Sequence, residues 1–450
     1  MKPVNNSLKK ITYVQLLLFH IGIAVLVLFS KSASKFILLA AIIYFLIRII
    51  SSGNKKDEVL LAAAYITGFE VFSRMTGGAF SYEFAKYAVI GFLILGMFYK
   101  CFTKKSWPYL FFLLFLVPGV LFSVLNSSYE TNVGNAIGFN LSGPVCLAIS
   151  ALYCYDRKMT TQRFQGVLLA VLLPIISMTA YLYVYTPNIR DVVTGTQSNF
   201  EASGGYGPNQ VSTIIGLGMF ILFSRLFINK SKLVNIIDLS LLAILGYRAI
   251  ITFSRGGVLV AGACAVLFIG IYFLKTGMKE KASLLPKLVL ISFVIMATWV
   301  FTSISTLGLI DKRYTNQDAT GRVKEDITTG RSDLFSEEIQ SFFENPFVGI
   351  GVGRAKEYRF KQTGIVTASH NEVSRMLSEH GLFGVLGLVI LLMTPLIFRL
   401  SNKSNVYLFS FVAFWFLTIN HSAMRIAAPA FNYGLGLITI TREKKTTLHR

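Results

Sequence analysis

Stretches of 17 to 22 mostly apolar residues recur along the whole sequence, separated by short polar connections. Each is long enough to cross a hydrocarbon core of about 30 Å as a helix. A membrane-spanning barrel would instead show short segments of alternating polarity. The pattern predicts an all-α fold, a polytopic transmembrane helical bundle. Fourteen candidate spans fall near 11–30, 36–50, 58–74, 84–101, 107–125, 136–154, 164–186, 209–228, 234–252, 257–274, 284–305, 381–398, 405–420 and 427–441. If the second and the last lie in the membrane interface, the count falls to 12.

Composition agrees. Charged residues make up 14% of the 450 residues, against roughly 25% in soluble domains. The first span follows MKPVNNSLKK and is longer than a signal-peptide core. The SKSASK after it is a poor cleavage site, so the segment reads as a retained helix. The net charge of +21 would suggest nucleic acid in a soluble protein. Here the cations fall mostly in short loops on one side, where they fix topology and face anionic lipid, and no nucleic-acid partner is expected. Cys101, Cys146, Cys154 and Cys264 lie in or near spans without CxxC spacing, which argues against a disulfide framework or a zinc site.

Lysine and arginine set the orientation. One set of connections carries SSGNKKDE, YKCFTKKS, YDRKMTTQR, NKSK, KTGMKEKASLLPK, RLSNKS and both basic ends. The alternate set, with MTGGAFSYE, NSSYETNVGN, TFSRGG and NHSAMR, is poor in cations. The basic set is therefore placed in the cytoplasm together with both termini, and TFSRGG faces outside. Three regions result: transmembrane helices over 1–305, an external loop over 306–371, and C-terminal transmembrane helices over 372–450. The loop holds nine basic and nine acidic residues, so it is balanced like a soluble segment. Within it TTGRSDLFSEEIQSFFENP reads as an amphipathic helix capped by Ser332 or Asp333 and stopped at Asn345-Pro346. A structured external loop of this length commonly carries function.

Three basic residues stand at the outer boundary: Arg255 in TFSRGG, Arg331 in TTGRSDLF and His370 in TASHNEVSRMLSEHG. Arginine keeps its charge and presents a rigid fork of donors suited to phosphate oxygens. The two glycines after Arg255 would let a ligand approach the backbone, and the helix that starts there favours an anion at its N-terminus. A histidine near neutrality can take a proton from a sugar hydroxyl. Each residue also has a plainer reading: Arg255 as an interfacial anchor, Arg331 as a solvated helix end, His370 as a structural loop residue. Arg190 in TPNIRDV could add a cation to an external site or be merely solvated. Glu70 and Arg74, four apart on the third span, share a face and read as a structural pair. GGYGPNQ (204–210) is a turn entering a helix. GIGVG (349–353) lacks the βαβ context of a dinucleotide site. The sequence has no Walker A, HExxH or DxD signature, so nucleotide hydrolysis and metal-dependent proteolysis or glycosyl transfer lack their usual marks.

FSRGG at the start of a span, followed by GRSDLF, ENPFVGIGVG and SHNEVSRMLSEHGLFG in a long external loop, resembles the O-antigen ligase/O-antigen polymerase superfamily. The resemblance is strongest over residues 250–390. It implies a GT-C-like membrane glycosyltransferase of the bacterial inner membrane, with its site on the periplasmic side. Such enzymes take glycan from undecaprenyl diphosphate and pass it to the lipid A core (ligases), to a lipid-linked repeat unit (polymerases) or to protein hydroxyls, in a chemistry described for ligases as metal-independent and inverting. No cofactor is expected. Carried over, Arg255 and Arg331 would hold the diphosphate and His370 would serve as base or position the acceptor. Asn371 and Glu379 fall in the matching stretch as candidate substrate-binding residues beside Arg190. The rival class is a transporter, which would carry charges deep in several spans.

Overall fold

The computed structural model describes residues 6–126, 132–324, 330–364, 367 and 369–441. The basic ends on which the placement of the termini rests, 1–5 and 442–450, lie outside the described residues. The first half of the chain forms α1 (Asn6–Phe29), α2 (Ala33–Ser52), α3 (Glu58–Met75), α4 (Phe84–Tyr99), α5 (Pro108–Asn126), α6 (Val133–Cys154) and α7 (Thr161–Tyr185). After the short α8 (Ile189–Val192) come α9 (Pro208–Ile228), α10 (Lys232–Ile251), α11 (Arg255–Lys275) and α12 (Met278–Ser305). The segment after α12 contributes α13 (Leu309–Tyr314), α14 (Arg331–Glu344) and α15 (Ala355–Thr363). The chain then returns through α16 (Glu372–Ser401), α17 (Leu408–Ser422) and α18 (Ala427–Gly436).

Ten of the described helices are long and apolar enough to cross a membrane, so this is a multi-pass helical membrane protein. Every predicted span corresponds to a helix. α3 carries three charges (Glu58, Glu70 and Arg74), and α4 and α17 are shorter apolar helices. The last predicted span differs. α18 stops after ten residues, and the chain continues as β2 (Thr439–Thr441), which pairs in parallel with β1 (Lys158–Thr160). The physical cause is Asn405, whose side-chain amide donates to the carbonyls of Leu435, Gly436 and Ile438 and fixes the chain as it leaves the helix.

Burial separates the helices into centre and rim. α9 and α18 are buried on nearly all sides, while α1, α2, α5 and α12 turn large apolar side chains outward. The outward faces suit lipid, which solvates leucine and phenylalanine as well as a core does. Several charges inside the bundle are paired, while Arg248 on α10 is buried without a carboxylate partner among the described residues and donates to the Ala202 carbonyl at 3.1 Å. Glu70 meets Arg74 at 2.5 Å, as the four-residue spacing predicts. Asp238 on α10 accepts from Arg225 on α9 at 2.9 Å and from the Tyr13 hydroxyl at 2.5 Å. Arg375 sits between Glu372 and Glu379 on α16. The deep pairs beyond Glu70–Arg74 were not legible in the sequence, because their partners lie on separate helices or on a stretch read as loop.

The loop helix α14 starts where it was expected, but its cap differs. Gly330 is the N-cap with φ 76°, and Ser332 and Asp333 lie inside the first turn. Glycine takes this left-handed conformation without a Cβ penalty. α14 packs on α16 through Ser341, whose hydroxyl meets that of Ser378 at 2.5 Å.

Candidate active site

The TFSRGG turn is built differently from its first reading. α10 ends at Ile251 and α11 begins at Arg255, with Ser254 as N-cap. Between them Phe253 adopts φ 56°, an outlying conformation for a bulky residue and one that persists only when its surroundings over-determine it. Phe253 is fully buried against Ile189, Val193, Ala202, Ile251 and Ile310. Its carbonyl accepts from Arg313 Nε at 3.0 Å. The glycines serve packing rather than ligand approach. A Cβ on Gly257 would stand 2.1 Å from the Ser212 carbonyl oxygen of α9, and one on Gly256 would stand 2.5 Å from His421 Nε2. These two residues let α9 and α17 close on α11 at the turn that carries Arg255.

Four arginines converge there. Arg255 Nη1 reaches the Arg313 carbonyl at 3.5 Å. Burial, and after it the charges of Arg255 and Arg331, lower Arg313 below the usual arginine range. Arg331, first residue of α14, is lowered by burial and then by Arg425 and Arg255. Arg425, between α17 and α18, donates from Nη2 to the Ser369 carbonyl at 3.0 Å and lies 3.5 Å from His370 Nδ1. Among the described residues none of the four has a carboxylate partner, whereas Arg74, Arg225, Arg359 and Arg375 all do. Two like charges about 8 Å apart repel by roughly 2 kcal/mol at an effective dielectric near 20. A cluster of this kind can hold an anion.

His370 joins the cluster through both chain and ring. Its carbonyl accepts from Ala423 N at 3.1 Å, and Ala423 itself sits at φ 49°. The imidazole is held down to about 4, first by burial and then by Arg425, Arg331 and Arg359. It is neutral near pH 7 and free to accept a proton. Glu338 on α14 positions this strand: its carboxylate accepts from the hydroxyls of Ser369 at 3.2 Å and Ser374 at 2.5 Å and from Arg359 at 3.1 Å. Three further polar atoms around the cluster, Tyr314 Oη, Arg425 Nε and His421 Nε2, are buried without a hydrogen-bond partner among the described residues.

The structure therefore brings Arg255, Arg331 and His370 together, although 115 positions separate the first from the last. The other candidates are placed differently. Arg190 is exposed on α8, with no ion pair or hydrogen bond among the described residues. Asn371 is the N-cap of α16, its side chain accepting from Val373 N at 2.8 Å and Ser374 N at 3.3 Å. Glu379 is buried, accepting from Arg375 at 2.6 Å and from Gly353 N at 3.0 Å. These contacts give Asn371 and Glu379 structural work beside the site. Sequence reading missed Arg313 and Arg425. Arg425 left a signal, being a cation in the otherwise cation-poor NHSAMR connection. The Glu70–Arg74 pair turns out to position it: Arg74 Nη1 donates to the Arg425 carbonyl at 3.0 Å, and Glu70 accepts from Ala427 N at 2.6 Å.

Comparison with curated proteins and with solved structures returns no match. A family model does match, over the stretch that contains α11, α14, the turn bearing Arg255, and His370. Residues 240–389, a third of the chain, match the family described as O-antigen ligase, and over that stretch the chain is similar to the O-antigen ligase/polymerase superfamily.

Proposed function

We propose that the protein is a ligase-type glycosyltransferase. It moves a glycan from undecaprenyl diphosphate to a sugar hydroxyl of a glycolipid acceptor such as the lipid A core, on the periplasmic face of the inner membrane. The observation that carries this reading is the convergence at the start of α11 of four arginines without a carboxylate partner among the described residues, around His370. In this reading Arg255, Arg313, Arg331 and Arg425 hold the diphosphate. They offset the charge that builds on it as the glycosidic C–O bond breaks, without a metal ion. Preorganised electrostatic stabilisation of this sort commonly contributes more to catalysis than any other single effect. His370 takes the proton of the acceptor hydroxyl as that oxygen attacks the anomeric carbon from the opposite face, which inverts it. The site lies at the end of the bundle opposite the basic connections, which supports a periplasmic placement by the charge rule. Glu70–Arg74, Arg225–Asp238 and Arg375–Glu379 are closed into ion pairs deep in the bundle, which favours an enzyme over a transporter.

The test is turnover of a synthetic undecaprenyl-diphosphate glycan by the purified protein in nanodiscs with EDTA present. Lipid A core and lipid-linked repeat units are offered separately. Product on lipid A core, lost in Arg255→Ala and His370→Ala, is the expected result. Product only on the lipid-linked unit makes the protein a polymerase with the same site. Failure with both acceptors, from folded protein, overturns the reading and turns attention to protein hydroxyls and then to transport.

A further inference from the structure

At the end of the bundle opposite the arginine cluster, three connections of the basic set close on a polar cavity of about 270 Å³. The turn from α2 to α3 supplies Asn54, Lys55 and Asp57. The end of α4 supplies Tyr99 and Lys100, and the segment entering α7 supplies Lys158 and Arg163. The walls are held from behind. Asn54 donates from its side-chain amide to the Tyr153 hydroxyl at 3.0 Å and accepts from Val59 N at 3.1 Å. Lys158 lies on β1 in register with Thr439 of β2, whose N–H donates to the Arg157 carbonyl at 3.0 Å. Four of the lining side chains are cations, against one carboxylate, Asp57, which stands 3.5 Å from Arg163. The carboxylates next in the chain are turned elsewhere: Glu58 accepts from Lys56 N at 2.9 Å, and Asp156 from Thr439 Oγ1 at 2.6 Å. Against Lys100 lies a fifth cation. Arg157 is 5% exposed, sits 3.8 Å over the Tyr153 ring, and donates to the Tyr153 carbonyl at 2.9 Å and the Lys100 carbonyl at 3.1 Å. Its Nη1 is buried without a hydrogen-bond partner among the described residues, a state that costs free energy until an acceptor arrives.

We infer that this cavity binds a phosphate group, supplied by the headgroup of an anionic lipid in the leaflet on that side. The inference is independent of the donor reading, since it concerns the other face of the molecule. Phosphate oxygens accept from lysine and arginine donors, here offered from three connections at once. α3 and α7 both begin at the edge of the cavity, directly after Asp57 and Thr160. Their N-terminal N–H groups add positive potential there. A lipid fits better than a soluble ion because the cavity sits where the apolar spans end. The span of α2 stops at Ser52, and the cavity starts at Gly53. Tyr99 in its wall is 43% exposed, and next to it Phe98 is 83% exposed. Tyrosine is enriched at headgroup level, with apolar side chains below it. The acyl chains then lie along the outward faces of α2 and α4, where Ile50 is also exposed. Bound there, the phosphate ties three connections together at the start of α3, the helix whose other end holds the Arg425 carbonyl through Arg74.

The test uses the full-length protein, purified in detergent and stripped of lipid. The probes are dioctanoyl phosphatidylglycerol, dioctanoylglycerol, which has the chains without the phosphate, and inorganic phosphate. Each is titrated at one ionic strength, and binding is read by native mass spectrometry and by the shift of thermal unfolding. Lys100→Gln/Lys158→Gln removes two cations from the cavity. Lys230→Gln/Lys232→Gln removes the same charge from the α9–α10 connection, which belongs to the same basic set, and serves as the control. All four lysines are exposed, so neither pair of substitutions disturbs a packed core. Phosphatidylglycerol is expected to bind the native protein and the control within about twofold of each other, and the cavity variant at least about fivefold more weakly. Equal weakening in both variants reduces the effect to diffuse surface charge and overturns the site. Dioctanoylglycerol bound as tightly as the phospholipid overturns it too, because the phosphate then contributes nothing. Inorganic phosphate that binds more tightly than the lipid, with the same dependence on Lys100 and Lys158, upholds the phosphate site and replaces the lipid by a soluble phosphate. Binding of neither phosphate probe overturns the inference.

Discussion

An arginine that faces a carboxylate and one that does not are indistinguishable in a sequence; at the residue scale the proposed site is where four of the second kind, among the described residues, come together. Arg359 and Arg331 both lie in the segment between α12 and α16. Arg359 is closed by Glu337 and Glu338, while Arg331 points its charge at Arg255 and Arg425. Sequence reading singled out Arg255 and Arg331 because motif and boundary position agreed. It passed over Arg313, which sits among balanced charges. Arg425→Ala is expected to lower kcat/KM by about 10²- to 10³-fold, as removal of a donor to developing negative charge does elsewhere. Arg190→Ala, assayed beside it, is expected to stay within about twofold. His370 supplies a second expectation. In the free protein it is held down to about 4, so kcat/KM loses its base only as pH falls through that region. A bound diphosphate adds negative charge beside the ring, favours imidazolium and raises its pKa. The acid limb of kcat should therefore lie at higher pH than that of kcat/KM, and coincident limbs would remove His370 from the role of base.

At the scale of elements, the strained turn between α10 and α11 is the feature that places Arg255. Phe253 and Ala423, two non-glycine residues with positive φ, carry the backbone past the cluster from two directions. The glycine pair after Arg255 was legible as a close approach, but its partner was not, since nothing local announces that α9 lies against it. Gly257→Ala is expected to lower the unfolding temperature in detergent substantially, because the Ser212 carbonyl of α9 cannot yield as a side chain can. Gly256→Ala meets only the ring of His421 and should cost less. Gly270→Ala, in open space, should leave the transition in place or raise it slightly. The loop helix α14 was readable from its amphipathic pattern. Its glycine cap was not, because Ser332 and Asp333 offered competing caps within two positions.

For the whole molecule, the bundle was legible because a bilayer leaves long apolar runs little choice but helix. What no run of hydropathy could show is which helices are central. α3, with its three charges, looks like the poorest span and is among the most buried, its charges being taken up by neighbours such as Arg425 and Ala427 through their backbones. α18 makes the same point from the other side. Ten residues are too few to cross a membrane unaided, yet all ten are buried, packed against α3, α4, α6 and α17. Deleting 427–441 should therefore yield a membrane-inserted but protease-sensitive protein rather than a smaller stable one, measured by limited digestion in membranes. The clip between β1 and β2 joins residues 158–160 to 439–441, which gives the bundle an order of assembly. Helices α3 to α6 enter the membrane long before α18 is synthesised. Until then Glu70 lacks the backbone amide of Ala427, and the cleft that α18 will fill stands open to lipid. The centre of this protein is finished late in its biogenesis, and a cell that makes it must shelter an incomplete bundle in the meantime.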